Sequence, residues 1–290
     1  MSSYKDNKSI IPQLVIGLLL VILIVIFILE FIFFYLAYAE EIVMVFSSFK
    51  YLYYLYLLII ITAIRTLILT YLAYSFLKEW KSQKIYRLTG FQCLFGLYFY
   101  LVIVVKSLDI MVYIMYADIE FFSTELVVNL YRIRQIIGVL ATLPLLLIGM
   151  YLLFYYRSLK KETLETKEQI KKKVKIVSII WIGVCIFIAF ISPSTVSLLL
   201  IYIIFNIVNL LIIWVFFKIY KGKILSEINC LLISIGFTVL FISGYIPSFL
   251  IFTLLGASVY GLLIGALIAE IGSLVAYTLI LIGFKTKAKF

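Results

Sequence analysis

Eight apolar runs, each long enough to cross a bilayer as a helix, take up almost the whole of the 290-residue chain. A spanning helix needs about 20 predominantly apolar residues for about 30 Å of hydrocarbon. The runs fall at 12–38, 51–77, 88–116, 127–156, 174–192, 195–217, 228–250 and 256–284. They are unbroken rather than alternating, which is the pattern of helices and not of barrel strands. In lipid each backbone N–H and C=O must be satisfied internally, and a helix meets that demand by itself. The expected fold is therefore all-α: a polytopic integral membrane protein, a bundle of eight transmembrane helices forming one transmembrane domain over 1–290. Composition agrees, with 66% hydrophobic and 13% charged residues, where soluble domains carry about 25% charged ones. A soluble fold, a disordered chain and a nucleic-acid binder are excluded. The lipid bilayer is the first partner, and the cell membrane the expected location.

The charges outside these runs sort by side. One set of loops and ends holds 20 basic residues against six acids, from Lys5 and Lys8 through Lys78–Arg87, Arg157–Lys175 and Lys218–Lys223 to Lys285–Lys289. The other holds Lys50 against five acids: Glu40, Glu41, Asp118, Glu120 and Glu125. Alternate loops fall on opposite faces without a violation. By the positive-inside rule both ends of the chain are expected to be cytoplasmic. The triplet Ala37-Tyr38-Ala39 has the small-x-small form of a signal-peptidase site. However, the apolar stretch before it, Ile10–Phe34, exceeds a signal core of about 7–15 residues and is interrupted by Glu30. The first helix is expected to be retained. Cleavage after Ala39, leaving seven helices, is the alternative.

The outer segment 39–50 reads as a loop. The basic cytoplasmic loop 157–175 carries eight basic residues against three acids and is expected to extend a neighbouring helix. It serves as an ordinary topology signal. Its functional alternative is attraction of anionic lipid or of a protein partner, at about 1 kcal/mol per basic residue near the surface.

Seven charges lie inside the runs: Glu30, Arg65, Lys106, Asp109, Arg132, Arg134 and Glu270. Each costs roughly 2.5–3.5 kcal/mol at mid-bilayer on insertion scales, so they must pair, face the bundle interior or meet water. Arg65 and Glu270 fall near mid-depth and the rest in the outer half. Lys106 and Asp109 are three apart and can pair within one helix. Arg132 shares a face with Asn129 and Gln135, and Asn206 lies three residues from Asn209 on another helix. One reading gathers Arg65, Glu270, Lys106, Asp109, Arg132, Glu30, Asn206 and Asn209 into an outward-facing polar cavity of slightly positive charge. The other makes Arg65–Glu270, and Glu30 with a basic neighbour, structural ion pairs, while Arg132 and Arg134 snorkel to the outer interface. Two features of packing accompany them. Gly261, Gly265, Ala269 and then Gly272 or Ser273 form a small-residue seam that lets helices approach closely. Pro144 is expected to kink the fourth helix.

Chemistry is limited by what is missing. With no histidine there is no His-ligated metal, no His-ligated haem and no Ser–His dyad. No phosphate-binding glycine loop or paired acidic motif occurs, and Cys93, Cys185 and Cys230 lie within runs as small hydrophobes. No catalytic residue, metal or cofactor is expected, and an enzyme is not. The leading expectation is a small transporter or permease that takes a small polar, anionic or amphipathic solute, with Arg65 holding the anion and Glu270 orienting Arg65 or exchanging a proton. A membrane sensor or receptor module signalling to a cytoplasmic partner, and a structural or assembly subunit of a membrane complex, are the alternatives.

Overall fold

The computed structural model describes residues 3–48, 50, 52–83, 90–117, 122–159, 166–192, 200–254 and 259–288. All its regular structure among these residues is helical: α1 (Ser3–Glu30), a π-helical turn (Phe31–Leu36), α2 (Ala39–Ser48), α3 (Leu52–Lys81), α4 (Phe91–Ala117), α5 (Thr124–Leu159), α6 (Lys167–Ile191), α7 (Leu200–Lys221), α8 (Cys230–Leu254) and α9 (Val259–Lys285). Six stretches among the described residues are long and apolar enough to cross a membrane: Gln13–Leu36, Leu52–Lys81, Phe91–Met115, Thr124–Ser158, Glu168–Ile191 and Leu263–Lys285. This is the make-up of a multi-pass helical membrane protein.

Two segments depart from the sequence reading. The stretch 39–50 is not all loop, since it contains helix α2. Glu40 and Glu41 occupy its first turn, where a negative charge meets the positive end of the helix dipole. Val45 is buried on its inner face, in a cluster with Phe34, Leu55 and Met115. In the basic segment, α6 starts at Lys167 because Thr166 and Gln169 form a reciprocal capping box that satisfies two otherwise open backbone donors. Lys171, Lys172, Lys173 and Lys175 are thus helical. Residues 160–165 of that segment, and Lys84, Arg87, Asp118, Glu120 and Lys289, lie outside the described residues.

Named contacts give the helix directions. Leu19 and Glu30 of α1 meet Tyr100 and Ser107 of α4, so these two run parallel. Arg65 and Phe76 of α3 meet Glu270 and Phe284 of α9, a second parallel pair. Trp80 near the end of α3 packs with Cys93 near the start of α4, so α3 and α4 are antiparallel. Basic residues of the last turns of α3 (Lys78, Lys81), α5 (Arg157), α7 (Lys218, Lys221) and α9 (Lys285) therefore gather at one end. There the backbone N–H of Asn229 also bonds the Gly283 carbonyl. Glu40 and Glu41 of α2 and Glu125 of α5 lie at the other.

Helices α8 and α9 form a close hairpin. A Cβ added to Gly272 would sit 2.2 Å from Ser243 Cβ, and one on Gly236 would sit 2.9 Å from the Ala276 carbonyl oxygen. Bare backbone at these positions is what allows the approach, so the small-residue seam is an internal one at Gly272. α5 runs on through Pro144 as a single helix. The interior toward the basic end is filled by stacked and edge-on rings, with Phe76, Phe95 and Phe284 within 5.3 Å of one another by centroid. α1 touches this packing through Leu19 and Leu23, while Leu14, Leu18, Val21 and Ile24 on its other faces are exposed.

Candidate functional site

Four helices bring charged side chains to one place near mid-length. The inward face of α3 repeats at helical spacing, with Leu58, Thr62, Arg65, Leu69 and Leu72 all buried. That register carries Arg65 into the interior at 1% exposure. α9 does the same with Leu263, Glu270, Ser273, Tyr277 and Ile280. The two faces meet, and Arg65 Nη2 lies 2.5 Å from Glu270 Oε2. The contact joins the charges without the alignment of a hydrogen bond.

From Glu270 the chain of charges continues. Its Oε1 accepts a hydrogen bond from the Tyr113 hydroxyl at 2.7 Å and lies 3.5 Å from Lys106 Nζ. Lys106 also binds Asp109, three residues on in α4. Asp109 Oδ1 accepts from Arg134 Nε of α5 at 2.7 Å. The order is Arg65, Glu270, Lys106, Asp109, Arg134: cation and anion alternate, with a cation at each end. Three positive and two negative side chains leave a net +1 in a region where Arg65, Glu270, Asp109 and Arg134 are all buried. Alternation explains how so many charges tolerate hydrocarbon, since each carboxylate touches two cations. The surplus cation has no such explanation.

Polar groups beside the chain are left open. Gln135, one residue from Arg134, is fully buried, and neither its amide nitrogen nor its oxygen has a hydrogen-bond partner among the described residues. The same holds for Arg65 Nε and Thr62 Oγ1. Toward the basic end the cluster rests on Tyr98 and Tyr277, whose hydroxyls are 3.4 Å apart. Among the described residues no group of His, Cys, Asp and Glu side chains could hold a metal ion.

Of the residues singled out from sequence, Arg65, Glu270, Lys106 and Asp109 come together. Glu30 approaches the edge of the group from α1, through the Ser107 hydroxyl at 2.8 Å rather than through a basic neighbour. Arg132 points elsewhere. It donates to the Ala189 and Ser192 carbonyls at 2.9 and 3.0 Å and to Asn129 Oδ1 at 2.7 Å. It thus closes the C-terminal end of α6, where a cation complements the helix dipole. Asn206 and Asn209 are half-buried on α7, and no polar bond ties them to the cluster. The ion-pair reading of the sequence sends Arg134 to the interface with Arg132; it is instead part of the buried chain. Its spacing of two from Arg132 puts the two guanidiniums on different faces of α5, and that signal was readable. Spacing places Gln135 on the face of Arg132 and Tyr113 on the side of Asp109, but the groups each one meets depend on which helices pack together.

Comparison with protein-family models, with curated proteins and with solved structures finds no match.

Proposed function

We propose that the chain is a small transporter of the cell membrane. Its eight helices have both ends cytoplasmic, and it binds a small anionic or amphipathic solute at the Arg65–Arg134 cluster. The collection of basic last turns at one end of the bundle supports that orientation through the positive-inside rule. The observation that carries the binding reading is the combination of a surplus buried cation with open polar groups at Gln135 and Arg65. Buried charges that serve only packing are expected to be balanced, and buried amides to be bonded. An entering anion supplies both the missing charge and the missing acceptor. In this reading Glu270 positions Arg65, and Asp109 positions Arg134, so the two guanidiniums are held as the solute's partners. Arg65 and Glu270 are buried at 1% and 2% exposure, so in this reading solute binding requires the helices to part.

Sided thiol labelling tests the reading. Gln135→Cys is placed in a background in which Cys93, Cys185 and Cys230 are replaced by serine or alanine. A small charged thiol reagent is then applied to sealed vesicles from each face. Modification from the face bearing α2 and loss of modification at saturating solute are expected. A cysteine at 135 that reacts from neither face in a folded variant would overturn the proposal.

One observation favours a second reading, that of an assembly subunit. No residue in the most apolar window of the Gln13–Leu36 span is fully buried, so a partner membrane helix would find most of its surface open. Stoichiometric co-purification of such a partner, lost on deletion of α1, would support that reading over transport.

A further inference from the structure

We propose that Glu30 is a proton-carrying group whose ionisation switches the charge of the buried cluster. The cluster part of this inference rests on the solute-binding reading. The protonation part stands alone.

The argument begins with hydrogens. The Ser107 hydroxyl has one, yet two oxygens lie 2.8 Å from its Oγ: the Val104 carbonyl and Glu30 Oε1. A serine in a helix commonly gives its hydrogen to a carbonyl one turn back, and here that bond leaves the second contact without a proton if Glu30 is a carboxylate. A carboxylic acid removes the conflict. Glu30 then donates to Ser107 Oγ, and Ser107 donates to Val104.

Surroundings point the same way. Glu30 is half-buried on a helix whose neighbouring side chains Ile28, Leu29 and Phe31 are exposed to the lipid side. Among the described residues it makes no ion pair. On the elements packed against α1, Lys78, Glu79 and Lys81 of α3 lie at the basic end, away from Glu30, Tyr113 of α4 gives its hydroxyl to Glu270, and the charged groups nearer its depth are committed. On α3, Arg65 is held by Glu270; on α4, Lys106 is held by Asp109 and Glu270, and Asp109 by Lys106 and Arg134; in the π-helical turn Tyr35 is a phenol. A carboxylate in hydrocarbon with no cation is among the most expensive states a side chain can take, and neutralisation is its usual escape. The backbone carries a further mark. The π-helical turn Phe31–Leu36 starts at the very next residue, with Glu30 as its cap. Such turns disturb the regular ladder and often stand at functional positions.

Ionisation transfers the proton from the Glu30 carboxyl to a water, and the electron pair stays on the carboxylate. Ser107 directly follows Lys106, so the new charge appears beside the cluster. With Glu30 protonated the group of six side chains sums to +1, and with Glu30 ionised to zero. Proton binding therefore favours an anion in the cluster, and proton release favours an empty one.

Dicyclohexylcarbodiimide, an apolar reagent that attacks protonated carboxyls in lipid, is the probe. Protein in liposomes is treated across pH 5 to about 9 without any solute, and peptides are read by mass spectrometry. The expected result is an adduct on Glu30 that falls as pH rises, none on the ion-paired Asp109 and Glu270, and loss of labelling in Glu30→Gln. Infrared spectra should show a carboxylic-acid carbonyl band at neutral pH that the same variant loses. An unlabelled Glu30 together with an absent band, or labelling of Glu270 in its place, would overturn the proposal. Because no solute is used, a failure of the transport reading leaves this test unaffected.

Discussion

Glu270 is the hub of the buried charges, and its removal should cost more than removal of Arg65. The two residues form one contact, but what each leaves behind differs. Arg65→Met removes one of three partners of Glu270, which keeps Tyr113 at 2.7 Å and Lys106 at 3.5 Å. The remaining cluster is balanced, two cations facing two anions. Glu270→Met strips Arg65 of its one carboxylate within ion-pair distance and leaves three cations around Asp109. Breaking a buried pair so that a charge is stranded costs about 3–5 kcal/mol. We expect Glu270→Met near that range and Arg65→Met at about 1–2 kcal/mol, the scale of a lost contact whose partner stays bonded. The double variant leaves Lys106 and Arg134 with Asp109, and no charge stranded on α3. It should cost less than the sum of the two single changes by about 1–3 kcal/mol, the usual range of coupling between contacting residues. Reversible unfolding in bicelles, run as a double-mutant cycle, gives all three numbers. If Arg65→Met proves the more damaging single change, or if the double variant costs the sum of the two, then the order of charges described here is wrong.

Three further outcomes are expected. Gln135→Met should raise the unfolding free energy of the solute-free protein by about 1 kcal/mol, since it replaces an unbonded buried amide by an apolar chain of similar length; a loss of stability would show that the amide is bonded. Arg132→Met should lower stability by about 1 kcal/mol by opening the end of α6, while leaving labelling of a cysteine at 135 unchanged; altered labelling would place Arg132 in the site. Gly272→Ala should destabilise by about 1–3 kcal/mol through overpacking against Ser243, with partial rescue by Ser243→Gly, whereas Gly17→Ala, with nothing within 4 Å of the new methyl, should be neutral in a thermal melt.

Helix existence was legible because the bilayer demands it: long apolar runs have no other folded form in lipid. α2 was not, because a ten-residue helix has too few residues to show its period against polar neighbours. The pairing of Arg65 with Glu270 could be anticipated from depth alone, since no other charges lie at mid-bilayer in their helices. The bond from Arg134 to Asp109 could not, because it needs the rotation of α5 against α4, which hydropathy does not encode. The same reason separates Asn206 and Asn209 from the site. Their i, i+3 spacing shows a shared face, but only packing shows what that face meets. Glu30 was misread for a related cause. A carboxyl in an apolar helix suggests a cation opposite, and the partner proved to be a serine hydroxyl.

The parallel pairing of α3 with α9 has a consequence for how the chain is made. Arg65 leaves the ribosome about 200 residues before Glu270. Asp109 and Arg134 sit on successive helices and can neutralise each other almost as soon as they emerge. Arg65 has no such early companion, and α3 must enter the bilayer on the strength of its leucines and isoleucines, against about 2.5–3.5 kcal/mol for the guanidinium. Until the last helix arrives, the growing chain holds a bare positive charge at mid-membrane. A ribosome stalled anywhere before α9 is finished would therefore expose an intermediate marked by an unpaired arginine. The arrival of α9, with Glu270, erases that mark.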